Sequence, residues 1–283
     1  MNVYRTVIIA FLLFLGCRAA CGAEGWQELG SDHFVVYYVQ DENFAREVAA
    51  KAEKYYVQIA SDLGYPRYSE FWTWNNRVKI YIFGDRASYL KVSKQPDWSD
   101  GMADYTHKQI LSYAGSARFV EGVLPHETAH LIFRDFVGFK GEVPVWLDEG
   151  VAQWAEPFKR EKVKTVSKYL LSKGMLFSVG DMVALDIRRV TKDSALNIRS
   201  VQDKDGNRSV FSLNGDAVVS TFYVEAVSLV GFLIERYGGS CFTDFCRQLR
   251  DGKRLDEALR FAYATYITGV EELERKWLEY LEG

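Results

Sequence analysis

Residues His126-Glu127-Thr128-Ala129-His130 place two imidazoles four positions apart with a carboxylate between them. On a helix, side chains four apart lie one turn above each other on one face, so both rings can reach one cation. Glu127 is rotated by about a quarter turn from His126, beside the ion and close enough to hold a water without being a ligand. Two neutral nitrogen donors and one general base are what zinc-assisted hydrolysis needs. The chain has only 4 histidines, and this segment uses two of them. The other two, His33 and His107, read as ordinary polar side chains rather than ligands.

A catalytic zinc site takes three protein ligands and leaves one position open. The third must come from elsewhere, and Glu149 in Trp146-Leu147-Asp148-Glu149-Gly150 is the best candidate. It sits in a short second helix, bracketed by Pro144 and Pro157, that a brief loop can fold back on the first. Between His130 and Glu149 lie residues 131–148. HExxH-x18-E in a WLDEG context resembles the gluzincin metallopeptidases, in particular their aminopeptidase-like members, whose second motif usually reads WLNEG, and the bacterial peptidase MA-like domains. The two motifs cover about thirty residues.

That resemblance implies one Zn2+ per chain held by His126, His130 and Glu149, with Glu127 as general base. It also implies a tyrosine or histidine well downstream that donates to the oxyanion. Tyr223 lies at a suitable distance along the chain, with Tyr237 and Tyr113 as weaker alternatives among 17 tyrosines. Metal-bound imidazoles normally give their second N–H to an acceptor, a role open to Asp148 and Gln153. Asp148 equally suits a helix N-terminus, where its charge complements the dipole.

The elements that must position these groups follow from patterning. Residues 33–39 and 78–83 are rich in β-branched and aromatic side chains and read as strands. Residues 44–63 carry a helical period ending at Gly64, and 87–94 form a shorter helix. Turn residues and alternation over 101–114 suggest a hairpin or edge strand, a place for a peptide to add as a further strand and for His107 to line the cleft. The motif helix should start near Gly122, with Pro125 in its opening turn, and run to Phe136 before Gly138 and Gly141 break it. Gly150, costly inside a helix by about 1 kcal/mol, suggests close packing of the two motif helices. Helices are expected over 161–173, 221–237, 242–250, 255–263 and 271–281, and the polar stretch 193–215 reads as a hairpin or flap.

The fold class expected is α+β, a thermolysin-like zincin. A mixed β-sheet lobe (24–116) would face a mainly helical lobe (117–283) carrying both motif helices, with the active-site cleft between them. Residues 1–23 read as a signal peptide, with Arg5 before the apolar run 7–15 and cleavage after Ala23. Cys17 and Cys21 also admit a lipoprotein, the membrane being reached only through that anchor. Either way the expected location is periplasmic or extracellular.

A net charge of −3 and a pI near 5.9, with no basic stripe, exclude nucleic acid as a natural partner. Cys241 and Cys246 could pair in an oxidising compartment or remain two buried thiols.

The expected partner is a peptide or protein substrate; no oligomeric state is assigned. Gly101-Met102-Ala103-Asp104 departs from the GxMEN motif with which the resembled aminopeptidases grip a free amine. An exported endopeptidase is therefore the expectation, with an aminopeptidase or a non-catalytic binding scaffold of the same fold as alternatives.

Overall fold

The structure, a computed structural model, describes residues 25–64, 72–97, 99–116, 118–139, 142–203 and 205–283. The proposed signal segment, with Cys17 and Cys21, lies outside them, as does Gly141. The chain divides into two compact units, one of residues 1–51 and 72–117 and the other of residues 52–71 and 118–283.

The first unit is built on a five-stranded sheet. Strands β1 (Gln27–Gly30) and β2 (Phe34–Tyr38) are antiparallel neighbours. Helix α1 (Glu42–Asp62) follows, and the boundary between the units falls within it. Strand β3 (Val78–Phe83) pairs parallel to β2, as a helical crossover permits. Helix α2 (Arg86–Ser93) is capped by Asp85, whose carboxylate accepts from the Ser88 N–H at 2.7 Å. Strands β4 (Met102–Asp104) and β5 (Gln109–Tyr113) form the hairpin expected over 101–114, with β5 parallel to β3 and β4 outermost. Period-two alternation decides what is buried: Val78, Ile80 and Ile82 point into the core beside Phe34, Val36 and Ile110. On the opposite face Tyr37 stacks on Tyr81 with ring centroids 5.0 Å apart.

The second unit is mainly helical. A single π-helical turn, Phe119–Val123, runs into α3 (Leu124–Val137), followed by α4 (Val145–Ala155), α5 (Pro157–Ser172) and α6 (Val179–Ala184). Strands β6 (Ala195–Arg199) and β7 (Val210–Asn214) pair antiparallel, so the polar stretch is a hairpin. Then come α7 (Gly215–Tyr237), α8 (Gly239–Arg250), α9 (Leu255–Tyr263) and α10 (Val270–Glu282). By this content the protein is α+β with a mixed sheet.

Helix α7 organises this unit. It is apolar around most of its circumference, long enough by composition to cross a membrane, yet 72% of its most apolar window is buried inside the protein. A helix that is hydrophobic all round belongs in a core. Buried Phe222, Ala226, Leu229, Val230 and Leu233 are its contribution. The hairpin is fastened to the C-terminal helix by Glu274, which accepts from the Gln202 and Val179 N–H groups and pairs with Arg208 at 2.8 Å.

Gly150 packs against α7 rather than against α3, which corrects the expectation that it serves the contact between the two motif helices. A Cβ there would sit 2.7 Å from both the Ala226 carbonyl oxygen and Val230 Cγ2. Reciprocally, a Cβ at Gly231 would meet the Trp154 ring at 2.3 Å. Two glycines, one from each helix, thus let α4 and α7 approach closely. Gly150→Ala is expected to destabilise the protein by about 1–3 kcal/mol through overpacking. A thermal melt at or above the wild-type midpoint would refute the close approach.

Cys241 and Cys246 are both free thiols. Five residues turn a helix through about 500°, which puts the two on different faces of α8. Burial pushes the Cys246 thiol well above its ordinary pKa.

Candidate metal centre

Three local features shape α3. Pro125 occupies its first turn, where the missing N–H costs nothing. The preceding turn is π-helical, with the Leu124 N–H reaching back five residues to the Phe119 carbonyl. That wider turn spaces the carbonyls with which a proline ring would collide. The α-helix therefore begins at Leu124 and not near Gly122, because the turn before the proline cannot be regular. At the other end Gly138, with φ of 81°, adopts the left-handed cap that a residue with Cβ resists.

The short loop to α4 returns the chain antiparallel enough for the two motifs to meet. His126 Nε2 and His130 Nε2 stand 3.2 Å apart. The Glu149 carboxylate lies 3.9 Å from each of them, one oxygen toward each ring. One ligating atom from each of the three residues falls within 4.8 Å of the others. Tetrahedral zinc with bonds of about 2.0–2.1 Å wants donor separations of about 3.3 Å. The nitrogen pair has that spacing, and the carboxylate stands slightly wider.

The outer nitrogens are also spoken for. His130 Nδ1 is 2.9 Å from Asp148 Oδ1, and His126 Nδ1 is 2.8 Å from Glu156 Oε1. An N–H donated to a carboxylate at Nδ1 leaves Nε2 as the lone-pair nitrogen. With both rings in that tautomer, the two Nε2 lone pairs are directed at one point, where a cation could accept both. The donor set fits zinc.

No family model and no curated protein matches this chain.

Electrostatics hold the outer carboxylates ionised. Burial pushes the Asp148 carboxyl up, but its bonds and charges with His130 and Arg134 outweigh that and hold it below the usual range. Glu156 behaves alike: burial raises it, and His126 and Lys159 bring it down further. For His130 burial works against the charged ring, and Asp148, Glu149 and Glu127 together more than reverse this. Glu127 is half-buried, and its charge is felt at His130.

Of the two residues expected to brace the imidazoles, Asp148 does so for His130, while Gln153 bonds neither ring. Glu156 braces His126 instead, and sequence reasoning missed it. The signal was present: Glu156 lies seven residues, two helical turns, beyond Glu149 and directly before Pro157. Proline forces the preceding residue into an extended conformation, and Glu156 has φ −74° and ψ 117°. That ends α4, starts α5 and leaves the Glu156 carboxylate on the His126 side.

Tyr223, on α7, lines a cavity with His126 and Glu149. Burial, then the charge of Glu149, pushes its phenol above the ordinary value. Tyr237 lies at the far end of the same helix, about 20 Å away by rise per residue, and packs with Tyr263 and Tyr266. Tyr113 belongs to β5 and donates to Asp100 at 2.8 Å. His107 Nδ1 pairs with Asp104 at 2.7 Å in the β4–β5 turn.

Asp148→Asn and Glu156→Gln are each expected to weaken zinc binding about 10–100-fold, since each removes a charge that orients a ligand. Competition with a chromophoric chelator reads the affinity; wild-type values in both variants would show that the carboxylates are not coupled to the site.

Proposed function

We propose that this chain is a zinc metallopeptidase of gluzincin type, an exported endopeptidase that hydrolyses internal peptide bonds of protein substrates outside the cytosol. The observation that carries it is the convergence of His126, His130 and Glu149, with both histidines braced on carboxylates through Nδ1 and their Nε2 atoms turned toward one another. A thermolysin-like arrangement of lobes belongs to the same proposal. The apolar run at 7–15 behind Arg5 supports export.

Zinc, when bound, supplies a Lewis acid that brings the pKa of water down to about 7. The protein's own groups do the rest. Glu127 takes a proton from the attacking water and returns it to the nitrogen that leaves as the C–N bond breaks. Tyr223 donates its O–H to the carbonyl oxygen as negative charge builds there. Among the described residues its hydroxyl has no protein hydrogen-bond partner, so it is available for that contact. Asp148 and Glu156 keep the two rings in the required tautomer.

The test is cleavage of a peptide library by the mature protein with zinc, read by mass spectrometry. Internal cuts that a chelator abolishes are expected. Cuts confined to the first bond would make the enzyme an aminopeptidase. Absence of any cut with the metal bound would overturn the peptidase assignment in favour of a binding scaffold.

A further inference from the structure

A cavity of about 850 Å³, within the range of pockets that hold a small molecule, lies at the other end of α7 from Tyr223. Its walls are aromatic: Phe232 and Tyr237 from α7, Tyr263 from α9, Tyr266 just beyond it and Tyr280 from α10. Tyr237 packs on Tyr263, Tyr266 and Phe232 with ring centroids 5.2, 5.6 and 5.7 Å apart. Phe232 meets Tyr280 at 5.3 Å, so the rings form one continuous cluster. The small residues Cys241, Ala262, Ala264 and Gly283 contribute to the same lining. Its charged side chains are Lys164, Arg236 and Lys276 against Glu279. Glu279 is paired with Arg275, and Lys164 lies over the Tyr280 ring at 4.2 Å. Among the described residues Arg236 and Lys276 form no ion pair.

Two further features mark this place. The Tyr263 hydroxyl is buried and has no hydrogen-bond partner among the described residues. Burial keeps that phenol well above its ordinary pKa, so it stays a donor. A buried polar group without a partner is rare in folded proteins, and an acceptor carried by a ligand would supply one. Next to it, Ala264 takes φ of 39° in the turn that the Tyr266 N–H closes onto the Tyr263 carbonyl at 2.8 Å. A residue with Cβ resists that angle, and such strain gathers at sites that bind. Here it sits between two tyrosines of the wall.

We propose that this cavity is a second binding site, for a small ligand with a flat apolar ring and an attached carboxylate or phosphate. The ring is set by the walls, since tyrosine and phenylalanine faces and edges pack best against another planar ring. The charge is set by the three basic side chains. Tyrosine clusters also attract cations, but Lys164, Arg236 and Lys276 repel a cationic ligand, and Lys164 already covers one ring face. Arg236 offers a planar fork and Lys276 an ammonium, both donors matched to carboxylate or phosphate oxygens. The inference is independent of the metallopeptidase assignment, because none of the residues it uses touches the candidate metal centre.

The experiment measures binding to the zinc-loaded full chain by calorimetry with probes built on one ring. These are 2-naphthoate, 2-naphthyl phosphate, the neutral 2-naphthamide and the cationic 2-naphthylmethylammonium, with acetate as an anion lacking the ring. The carboxylate or the phosphate is expected to bind at least about tenfold tighter than the amide, the worth of a charge-assisted hydrogen bond. The tighter of the two anions identifies the head group. The ammonium and acetate should bind more weakly than the amide. Replacing both Arg236→Ala and Lys276→Ala should bring the anions down to the amide's affinity. Tyr266→Ala, at a position 59% exposed and so safe for folding, should weaken every ring compound. Absence of binding by any ring compound, or an amide or ammonium that binds as tightly as the anions, would overturn the inference. Tight anion binding that survives all of these substitutions would overturn it too, because the anion would then sit elsewhere, the metal centre included.

Discussion

Glu127→Gln is expected to lower kcat for peptide hydrolysis by about 10²–10⁴-fold, the contribution of a positioned general base. The amide has nearly the same shape as the carboxylate but cannot accept the proton of the attacking water. Zinc should remain at one ion per chain, because the three ligating residues that converge are His126, His130 and Glu149. KM should change little. The combination distinguishes a base from a ligand. A variant that loses its zinc, or one that retains full kcat, would refute the role given to Glu127.

Removing the metal should produce the largest change in stability. A ligand that binds only the folded state stabilises it by about 4 kcal/mol when present at a thousandfold excess over its Kd. For a chain of this size each kcal/mol moves the melting temperature by about 2–4 °C. Chelation should therefore lower the midpoint by about 8–16 °C, and added zinc should restore it. His130→Ala should melt at the same temperature with and without chelator, having lost a ligand that is almost wholly buried. An unchanged wild-type midpoint after chelation, with metal loss verified, would show that the site does not couple a cation to folding.

What could be read from the residues, and what could not, follows from the range of the interactions involved. The spacing of His126 and His130 fixes their relation because it depends only on helical pitch. Glu149 was a candidate through its motif, and a tight return between two helices brings it to the histidines. The strands at 34–38 and 78–83 and most helix limits follow from local patterning. The misses share a different cause. Gly150 makes room for α7, an element that begins more than sixty residues later, so no local signal names the partner. Glu156 gains its meaning from the extended conformation that Pro157 imposes and from where α3 lies, a tertiary fact. The π-helical turn before Pro125 answers a steric conflict visible in sequence, but several geometries relieve that conflict, and only the folded chain selects one.

The carboxylates gathered around His126 and His130 also give the place a sign. Asp148 and Glu156 are held ionised by the imidazoles and by Arg134 and Lys159, and the charges of Glu149 and Glu127 are felt at His130. Any ion approaching the two Nε2 atoms would enter a field set by carboxylates on both motif helices. A cation would be drawn in before any bond to it formed, and a free anion would be turned away.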